Sequence, residues 1–114
     1  MKHVLFKIRP GKESAWKAWG DYLHQQETQV VKTLKQENCV YERSVIFVCG
    51  GETFMVGSME FDGQPEQANM SAALNIEHKR VKGECLQALA KFEGEYHLPT
   101  QYEIVYEFDT RSAS

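Results

Sequence analysis

Residues 39–61, CVYERSVIFVCGGETFMVGSMEF, decide the fold, because they contain two β-rich runs on either side of a glycine turn. The runs, Cys39–Val48 and Thr53–Phe61, are rich in Val, Ile, Tyr and Phe, which are the residues that favour strands. The turn between them, Cys49–Glu52, contains two glycines, which adopt the positive φ angles of tight hairpin turns without strain. The pattern predicts a β-hairpin.

A strand and a long helix precede this hairpin. Lys2–Arg9 alternates apolar and polar side chains with a period of two, which indicates a strand, and Pro10-Gly11 ends it. Lys12–Glu37 is predicted to be one helix, because its large apolar residues recur at helical spacing on one face. That face consists of Trp16, Trp19, Leu23, Val30 and Leu34. Gly20 costs about 1 kcal/mol relative to alanine in a helix, so we expect another segment to approach closely there.

Helical segments and one more strand follow the hairpin. Pro65–Ala73 is predicted as a short helix, and Asn75 as the cap of a longer helix that reaches Phe92. The inward stripe of the longer helix consists of Leu74, His78, Val81, Cys85, Leu89 and Phe92. Tyr102–Phe108 alternates again and indicates the last strand, and residues 110–114 are expected to be a disordered tail.

The resulting order is β-α-β-β-α-β within a single domain, residues 1–109. This order predicts the ferredoxin-like α+β fold, a four-stranded antiparallel sheet with the strand order 4-1-3-2. Right-handed crossovers place both helices on one face of that sheet. The other face is left without a covering layer.

The uncovered face of the predicted sheet carries apolar residues in its centre. Strand alternation places Leu5, Phe54, Val56 and Val105 there. Together they would form an exposed apolar patch, the kind of surface that marks an interface. Because no third helix remains to cover the patch, the sequence predicts a homodimer that forms through the open sheet face.

Composition argues against several classes of function. The chain has 114 residues, of which 42% are apolar and 25% charged, as is typical of a globular protein. A net charge of −3 without a basic tract argues against nucleic-acid binding, and no apolar run approaches the roughly 20 residues of a membrane span. The opening segment is too charged for a signal peptide, and three cysteines without a pairing motif indicate reduced thiols. We therefore expect a cytoplasmic protein.

Neither a metal site nor a cofactor is expected. The four histidines show no metal-ligand spacing, and the glycine pair lies in a hairpin rather than at a helix start, where phosphate groups bind. A haem is less favoured than an organic ligand, because no second residue is placed to ligate iron beside a histidine.

His78 is the leading candidate for chemistry. It shares a helix face with Val81 and Cys85, so helical geometry turns the imidazole toward the sheet. An apolar environment there is expected to lower its pKa, which suits a catalytic acid/base. The alternative is a core histidine whose ring nitrogens bond a tyrosine or a backbone carbonyl.

Four aromatic residues are candidates for a ligand-binding site beside His78. Two lie on the first helix and two on the last strand, where they would line a flat pocket with hydroxyl groups directed at His78. They are Trp16, Trp19, Tyr102 and Tyr106. The alternative is a filled core in which each ring finds one hydrogen-bond partner.

Three motifs resemble the dimeric α/β-barrel superfamily. They are V-x-F-x-I-R-P-G-K-E at residues 4–13, W-x-x-W at residues 16–19 and N-I-E-H-K at residues 75–79. Within that superfamily the chain resembles, over residues 2–109, a small uncharacterised family of similar length. The resemblance implies a ferredoxin-like chain that pairs into a dimeric α/β barrel, with ligands held between sheet and helices. The superfamily includes cofactor-independent monooxygenases, haem-degrading enzymes, sugar mutarotases and proteins without known activity, so the resemblance implies no particular reaction.

Two functions remain open at this point. In the first, the chain binds or transforms a small organic molecule between sheet and helices, with His78 as acid/base. In the second, the chain is a non-catalytic dimeric structural or interaction module whose aromatic residues serve packing. A ligand-sized cavity beside His78 favours the first function, and a solid core with a large apolar interface favours the second.

Overall fold

A computed structural model of the chain describes residues 1–111 and contains a five-stranded antiparallel sheet with three helices. The elements in chain order are β1 (Lys2–Ile8), α1 (Glu13–Gln25), α2 (Glu27–Gln36), β2 (Cys39–Cys49), β3 (Glu52–Phe61), α3 (Ala73–Cys85), β4 (Leu86–Glu93) and β5 (Glu103–Asp109). The strand order is β4-β1-β3-β2-β5. None of the helices within residues 1–111 is long and apolar enough to span a membrane. Of the predicted tail, Thr110 donates its backbone N–H to Val40 O (2.9 Å), and residues 112–114 lie outside the described residues.

The predicted four-stranded, two-helix βαββαβ fold is wrong. The sheet has an additional strand, β4, formed by residues that the prediction gives to the end of the second helix. β4 occupies the place beside β1 that the prediction gives to the last strand. The last strand, β5, pairs instead with β2 at the opposite edge. The chain therefore crosses from one edge of the sheet to the other between Glu93 and Glu103.

β4 has a sequence that favours a helix. Leu86–Glu93 reads LQALAKFE, in which Leu, Gln, Ala, Lys and Glu are all good helix formers. The preceding helix nevertheless ends at Cys85, whose carbonyl accepts the N–H of Arg9 (2.8 Å), and the following residues pair with β1. β4 pairs with β1 from Lys2 to Ile8, so strand pairing outweighs the local helix preference of this segment.

β2 and β3 form the predicted hairpin. Cys49 pairs with Glu52 across the turn, and Gly50 and Gly51 have φ angles of 59° and 79°. Positive φ at both central residues is typical of a type I′ hairpin turn, in which glycine is favoured. The hairpin prediction is confirmed, and the hairpin supplies two of the three central strands of the sheet.

The helices end at different places from those that the sequence predicts. The segment 12–37 forms two helices, because Gln26, with φ −108° and ψ 29°, interrupts the helical geometry. Residues 65–72 are not helical, and α3 begins before Asn75, which lies inside the helix rather than at its cap. Asn75 Nδ2–H donates to Asn69 O (3.0 Å) and ties the preceding loop to the helix.

The helices pack on one face of the sheet, where the core lies. Trp16 of α1 is fully buried, and its Nε1–H donates to Ser44 Oγ of β2 (2.9 Å). Gly20 of α1 lies against β5, since a Cβ atom at this position would be 2.5 Å from Val105 Cγ1. The predicted close approach at Gly20 is therefore confirmed. The buried apolar side chains of this layer include Leu23, Val30, Leu34, Ile46, Met55 and Phe108.

The opposite face of the sheet is partly covered by the segment that joins β4 to β5. The ring of Tyr96 in this segment lies 4.6 Å from the ring of His3, and its hydroxyl accepts a hydrogen bond from Arg43 Nη2 (3.3 Å). His3 is itself buried. Its Nε2–H donates to Gly94 O (2.8 Å), and its Nδ1 accepts from Ser58 Oγ (2.6 Å).

Two of the four residues in the predicted apolar patch do not contribute exposed surface to this face. Val56 is only 3% exposed within a single chain, and Val105 points toward α1. Leu5 and Phe54 remain partly exposed, and the ring of Phe54 stacks on that of Phe47 with centroids 5.7 Å apart. The apolar patch is therefore smaller than the sequence predicts.

Candidate functional site

A cavity of about 730 Å³ lies between the sheet and the helices. Apolar side chains from both layers line it, among them Phe6, Met55, Met59, Leu23, Val30 and Leu34. Polar side chains on the cavity wall include Glu37, Glu42, His78, Lys82 and Tyr106. Ligand sites are typically apolar clefts of about 300–1,000 Å³ with a few placed polar groups, so this cavity suits a small organic molecule.

His78 of α3 lines this cavity, and one of its ring nitrogens is already engaged. Trp19 Nε1–H of α1 donates to His78 Nδ1 (2.8 Å). An indole nitrogen only donates, so Nδ1 carries no proton and the neutral imidazole carries its proton on Nε2. Within residues 1–111, Arg43 Nε is the only side-chain polar atom that is buried without a partner. His78 Nε2–H, which has no partner either, is therefore accessible and opens onto the cavity.

The charge state of His78 follows from its surroundings. Burial, followed by the positive charge of Lys82, lowers the pKa of His78 from 6.5 to about 4. The ring is therefore neutral at neutral pH, with Nδ1 engaged by Trp19 and Nε2 protonated. In this state His78 offers a ligand one hydrogen-bond donor and no free lone pair. The acid/base role that the sequence predicts would require the bond to Trp19 to break first.

Three of the four predicted aromatic residues surround His78. The ring centroids of Trp16, Trp19 and Tyr106 lie 6.2, 5.7 and 6.5 Å from that of His78. Trp16 and Tyr106 line the cavity, whereas Trp19 does not line it and acts by holding His78. Tyr102 precedes β5, is 50% exposed and does not line the cavity. The structure thus brings three of the predicted rings together and leaves the fourth at the surface.

Glu42 of β2 is a cavity residue that the sequence analysis misses. It lies in the helix-facing row of β2, in the same row as Ser44, and lines the cavity. Tyr106 donates its hydroxyl hydrogen to the Glu42 carboxyl rather than directing it at His78 as predicted. Burial raises the pKa of Glu42, and the Tyr106 hydrogen bond and the charge of Lys82 act in the opposite direction. Strand alternation is the signal that identifies Glu42, because every second residue of β2 faces the helices.

Glu37 is a second carboxyl group on the cavity wall. Burial, followed by the charge of Glu42, raises its pKa from 4.5 to about 7. Lys82 of α3 places a positive charge nearby, with Nζ 5.7 Å from the centroid of the Phe6 ring. The wall therefore combines carboxyl groups, an ammonium group and a neutral N–H donor. Across residues 1–111, no three His, Cys, Asp or Glu side chains are grouped closely enough to hold a metal ion.

Comparison with known proteins gives a match over nearly the whole chain. Residues 1–110 match the model of a family described as a family of unknown function (DUF6176). No curated protein matches the chain, and no solved structure matches it. The geometry of the cavity is therefore the basis for a functional proposal.

Proposed function

Because the chain belongs to DUF6176, a family of unknown function, we propose a function from its own cavity: it binds a small, largely apolar organic molecule. A carbonyl or other acceptor oxygen of that molecule takes a hydrogen bond from His78 Nε2–H. Trp16 and Tyr106 form the aromatic wall beside this oxygen.

The observation that carries this proposal is an N–H donor without a partner on a mostly apolar cavity wall. His78 Nε2–H has no acceptor within the described chain, while Trp19 fixes the other ring nitrogen. Because Nε2–H is accessible rather than sealed in the core, a ligand oxygen in the cavity can reach it and accept its hydrogen bond. The cavity is a half-open cleft of about 730 Å³, a volume within the range of small-molecule sites.

Titration with Prodan tests the proposal. Prodan is an apolar naphthalene ketone whose fluorescence moves to shorter wavelength in apolar surroundings and to longer wavelength when its carbonyl accepts a hydrogen bond. We expect the wild-type chain to bind Prodan with an emission maximum at shorter wavelength than in water. His78→Leu should move the emission of the bound dye to still shorter wavelength, because the donor is lost.

Leu89→Ala is the matched control, since Leu89 is 48% exposed and lies outside the cavity wall. This variant should bind Prodan as the wild type does. Emission that stays at its value in water contradicts the proposal, and so does a bound spectrum that His78→Leu leaves unchanged.

A second candidate function is a non-catalytic homodimeric module, and the open sheet face favours it. Phe47 and Phe54 stack there, and Ile104 on β5 is 46% exposed. A second copy of the sheet, related by a two-fold axis, would cover these side chains. Analytical ultracentrifugation at micromolar concentration checks this candidate. We expect a dimer for the wild type and a monomer for Phe54→Lys, and a monomeric wild type contradicts the candidate.

A cytoplasmic location is part of the proposal. Cys39 and Cys85 are buried and Cys49 is exposed, and all three are free thiols. Free thiols are typical of reducing compartments, where disulfides are rare. Cell fractionation measures the location, and recovery with an oxidising compartment contradicts it.

A further inference from the structure

Glu42 is a carboxyl group on the cavity wall that ligand binding by His78 does not use. Among residues 1–111, none of the ion pairs involves Glu42. Arg43, the next residue, lies on the opposite face of the sheet, where it bonds Tyr96. Glu42 is therefore not half of a structural ion pair, and a carboxyl group in such a cavity is placed to exchange a proton with a ligand.

Tyr106 connects Glu42 to the part of the cavity that holds His78. Its hydroxyl donates to the Glu42 carboxyl, and its ring centroid lies 6.5 Å from that of His78. All three side chains line the same cavity. A proton acceptor and an N–H donor thus share one site, with a single aromatic side chain in contact with both.

We propose that this site removes a proton from the carbon next to the carbonyl group of an apolar ketone or aldehyde, with Glu42 as the base and His78 Nε2–H as the donor to the oxygen. This inference rests on the proposed function. The Glu42 carboxylate takes the proton, the C–H electron pair forms a carbon–carbon double bond, and the carbonyl π pair moves onto the oxygen. Return of the proton to the same carbon, or to a conjugated one, restores the carboxylate. The step consumes no oxidant, reductant or second substrate.

The charges around the cavity favour this reaction. Negative charge develops on the substrate oxygen, and preorganised donors aimed at that oxygen stabilise it. His78 supplies a neutral N–H, and the positive charge of Lys82 acts on both His78 and Glu42. Burial raises the pKa of Glu42 overall and so makes its carboxylate a stronger base, while Tyr106 and Lys82 act in the opposite direction and favour its ionised form. The mostly apolar walls favour a ketone or aldehyde with an apolar body.

Hydrogen–deuterium exchange of β-tetralone in heavy water, followed by proton NMR, tests the inference. β-Tetralone is an apolar bicyclic ketone with benzylic hydrogens next to its carbonyl. We expect the wild-type chain to accelerate exchange of these hydrogens over buffer alone. Glu42→Gln should lower the acceleration by about 100-fold or more, since a positioned base contributes about 10²–10⁴-fold.

Glu107→Gln is the control for a neighbouring carboxyl group. Glu107 follows Tyr106 in β5 but bonds Tyr41 on the opposite face, so this variant should exchange β-tetralone as the wild type does. Saturation-transfer NMR measures binding of the same ketone separately from its exchange.

The outcomes separate this inference from the proposed function. Binding of β-tetralone without accelerated exchange overturns the inference and leaves the proposed function standing. Failure of the chain to bind either β-tetralone or Prodan overturns both. Exchange that survives in Glu42→Gln, or that Glu107→Gln abolishes, overturns the assignment of Glu42.

If Glu42→Gln does not fold, Tyr106→Phe tests the role of Glu42 as the base. This variant removes a hydrogen bond that lowers the pKa of Glu42. The rising limb of the pH–rate profile for exchange should therefore move to higher pH, and a limb that does not move overturns the inference.

Discussion

At the scale of single residues, one hydrogen bond determines what His78 offers to a ligand. Trp19 Nε1–H donates to Nδ1, so the proton of the neutral ring lies on Nε2. The same contact disfavours protonation, because an imidazolium has no lone pair that can accept the indole N–H. The neutral His78 ring therefore presents an N–H group at Nε2 and no free lone pair.

We expect His78 to titrate with a pKa of about 4, because burial and the charge of Lys82 both oppose its positive form. Trp19→Phe frees Nδ1 to take up a proton and should raise this pKa, while burial and Lys82 keep it below 6.5. NMR of the imidazole ring over a pH series measures both values. A wild-type pKa near 6.5 contradicts the geometry described for this site.

The lowered pKa also makes stability depend on pH in a defined direction. Between pH 4 and 6.5, the unfolded chain binds a proton at His78 that the folded chain does not bind. The free energy of unfolding therefore falls as the pH falls through this range, by about 3 kcal/mol at most. The pKa of Glu37 is raised from 4.5 to about 7. Its contribution to the free energy of unfolding therefore rises as the pH falls between those values, opposite to that of His78.

Denaturant unfolding of the wild type and of His78→Asn at several pH values isolates this effect, because Glu37 contributes to both proteins. The unfolding free energy of the wild type minus that of His78→Asn should become smaller as the pH falls from 6.5 to 4, because only the wild type loses the contribution of His78. A difference that is independent of pH contradicts the prediction.

Gly20→Ala is expected to destabilise the fold. The added Cβ would lie 2.5 Å from Val105 Cγ1 and 2.7 Å from Val105 O, and the backbone oxygen is part of a strand. We expect a loss of about 1–3 kcal/mol, which is typical of overpacking, despite the helix preference of alanine. Gly83→Ala is the matched control, because Gly83 is helical with no atom within 4 Å of its added Cβ.

Denaturant unfolding compares the two glycine variants. Gly83→Ala should stabilise the fold by up to about 1 kcal/mol, as expected for alanine in a helix. Equal effects of the two substitutions would rule out the contact between α1 and β5.

Periodicity predicts which residues meet at the site better than it predicts their bonds. Helical spacing places Trp16, Trp19 and His78 inward, and the structure brings their rings together. The bond from Trp19 to His78 depends on the relative rotation of two helices, which spacing alone does not determine. Alternation also places Glu42 inward, but a charged residue is a poor candidate for a core-facing position until a cavity is known to lie there.

At the scale of elements, β4 separates the predicted fold from the observed one. Helical spacing continues from α3 through Phe92, and apart from Gly83 the residues near Cys85 are compatible with a helix, so local sequence gives only a weak signal that the helix ends there. The signal is non-local, because β4 is set by pairing with β1, which lies at the other end of the chain. The hairpin could be predicted because its signal is local: Gly50-Gly51 and the two strands follow one another in the chain.

Leu86→Ala and Leu89→Ala distinguish a strand from a continued helix. Leu86 is 5% exposed and Leu89 is 48% exposed, whereas the predicted helix would bury Leu89 on its inward stripe. Leu86→Ala should cost about 2–5 kcal/mol, as expected for a buried leucine, and Leu89→Ala should change stability by about 0.5 kcal/mol or less. Thermal unfolding followed by circular dichroism measures both, and a larger loss for Leu89→Ala contradicts the assignment of β4.

At the scale of the whole molecule, β4 and β5 lie at opposite edges of the sheet, and the segment between them partly covers the face away from the helices. Tyr96 packs on His3 and accepts a hydrogen bond from Arg43 there. The sequence predicts that a second copy of the chain covers this face of the sheet. In the structure the face is partly covered by the chain itself. The cavity lies on the other side of the sheet, beneath the helices.

The most direct test of a ligand cavity between sheet and helices is the affinity for Prodan of the wild type compared with Gly57→Phe. Gly57 lines the cavity, and a Cβ added there would meet Phe6 Cε2 at 3.6 Å, an ordinary contact, so a phenyl ring has room only by filling the cavity. We expect Gly57→Phe to fold and to bind Prodan about tenfold more weakly or not at all, a change of about 1.4 kcal/mol or more. Equal affinity in a folded Gly57→Phe would place the dye elsewhere and contradict the cavity as the binding site.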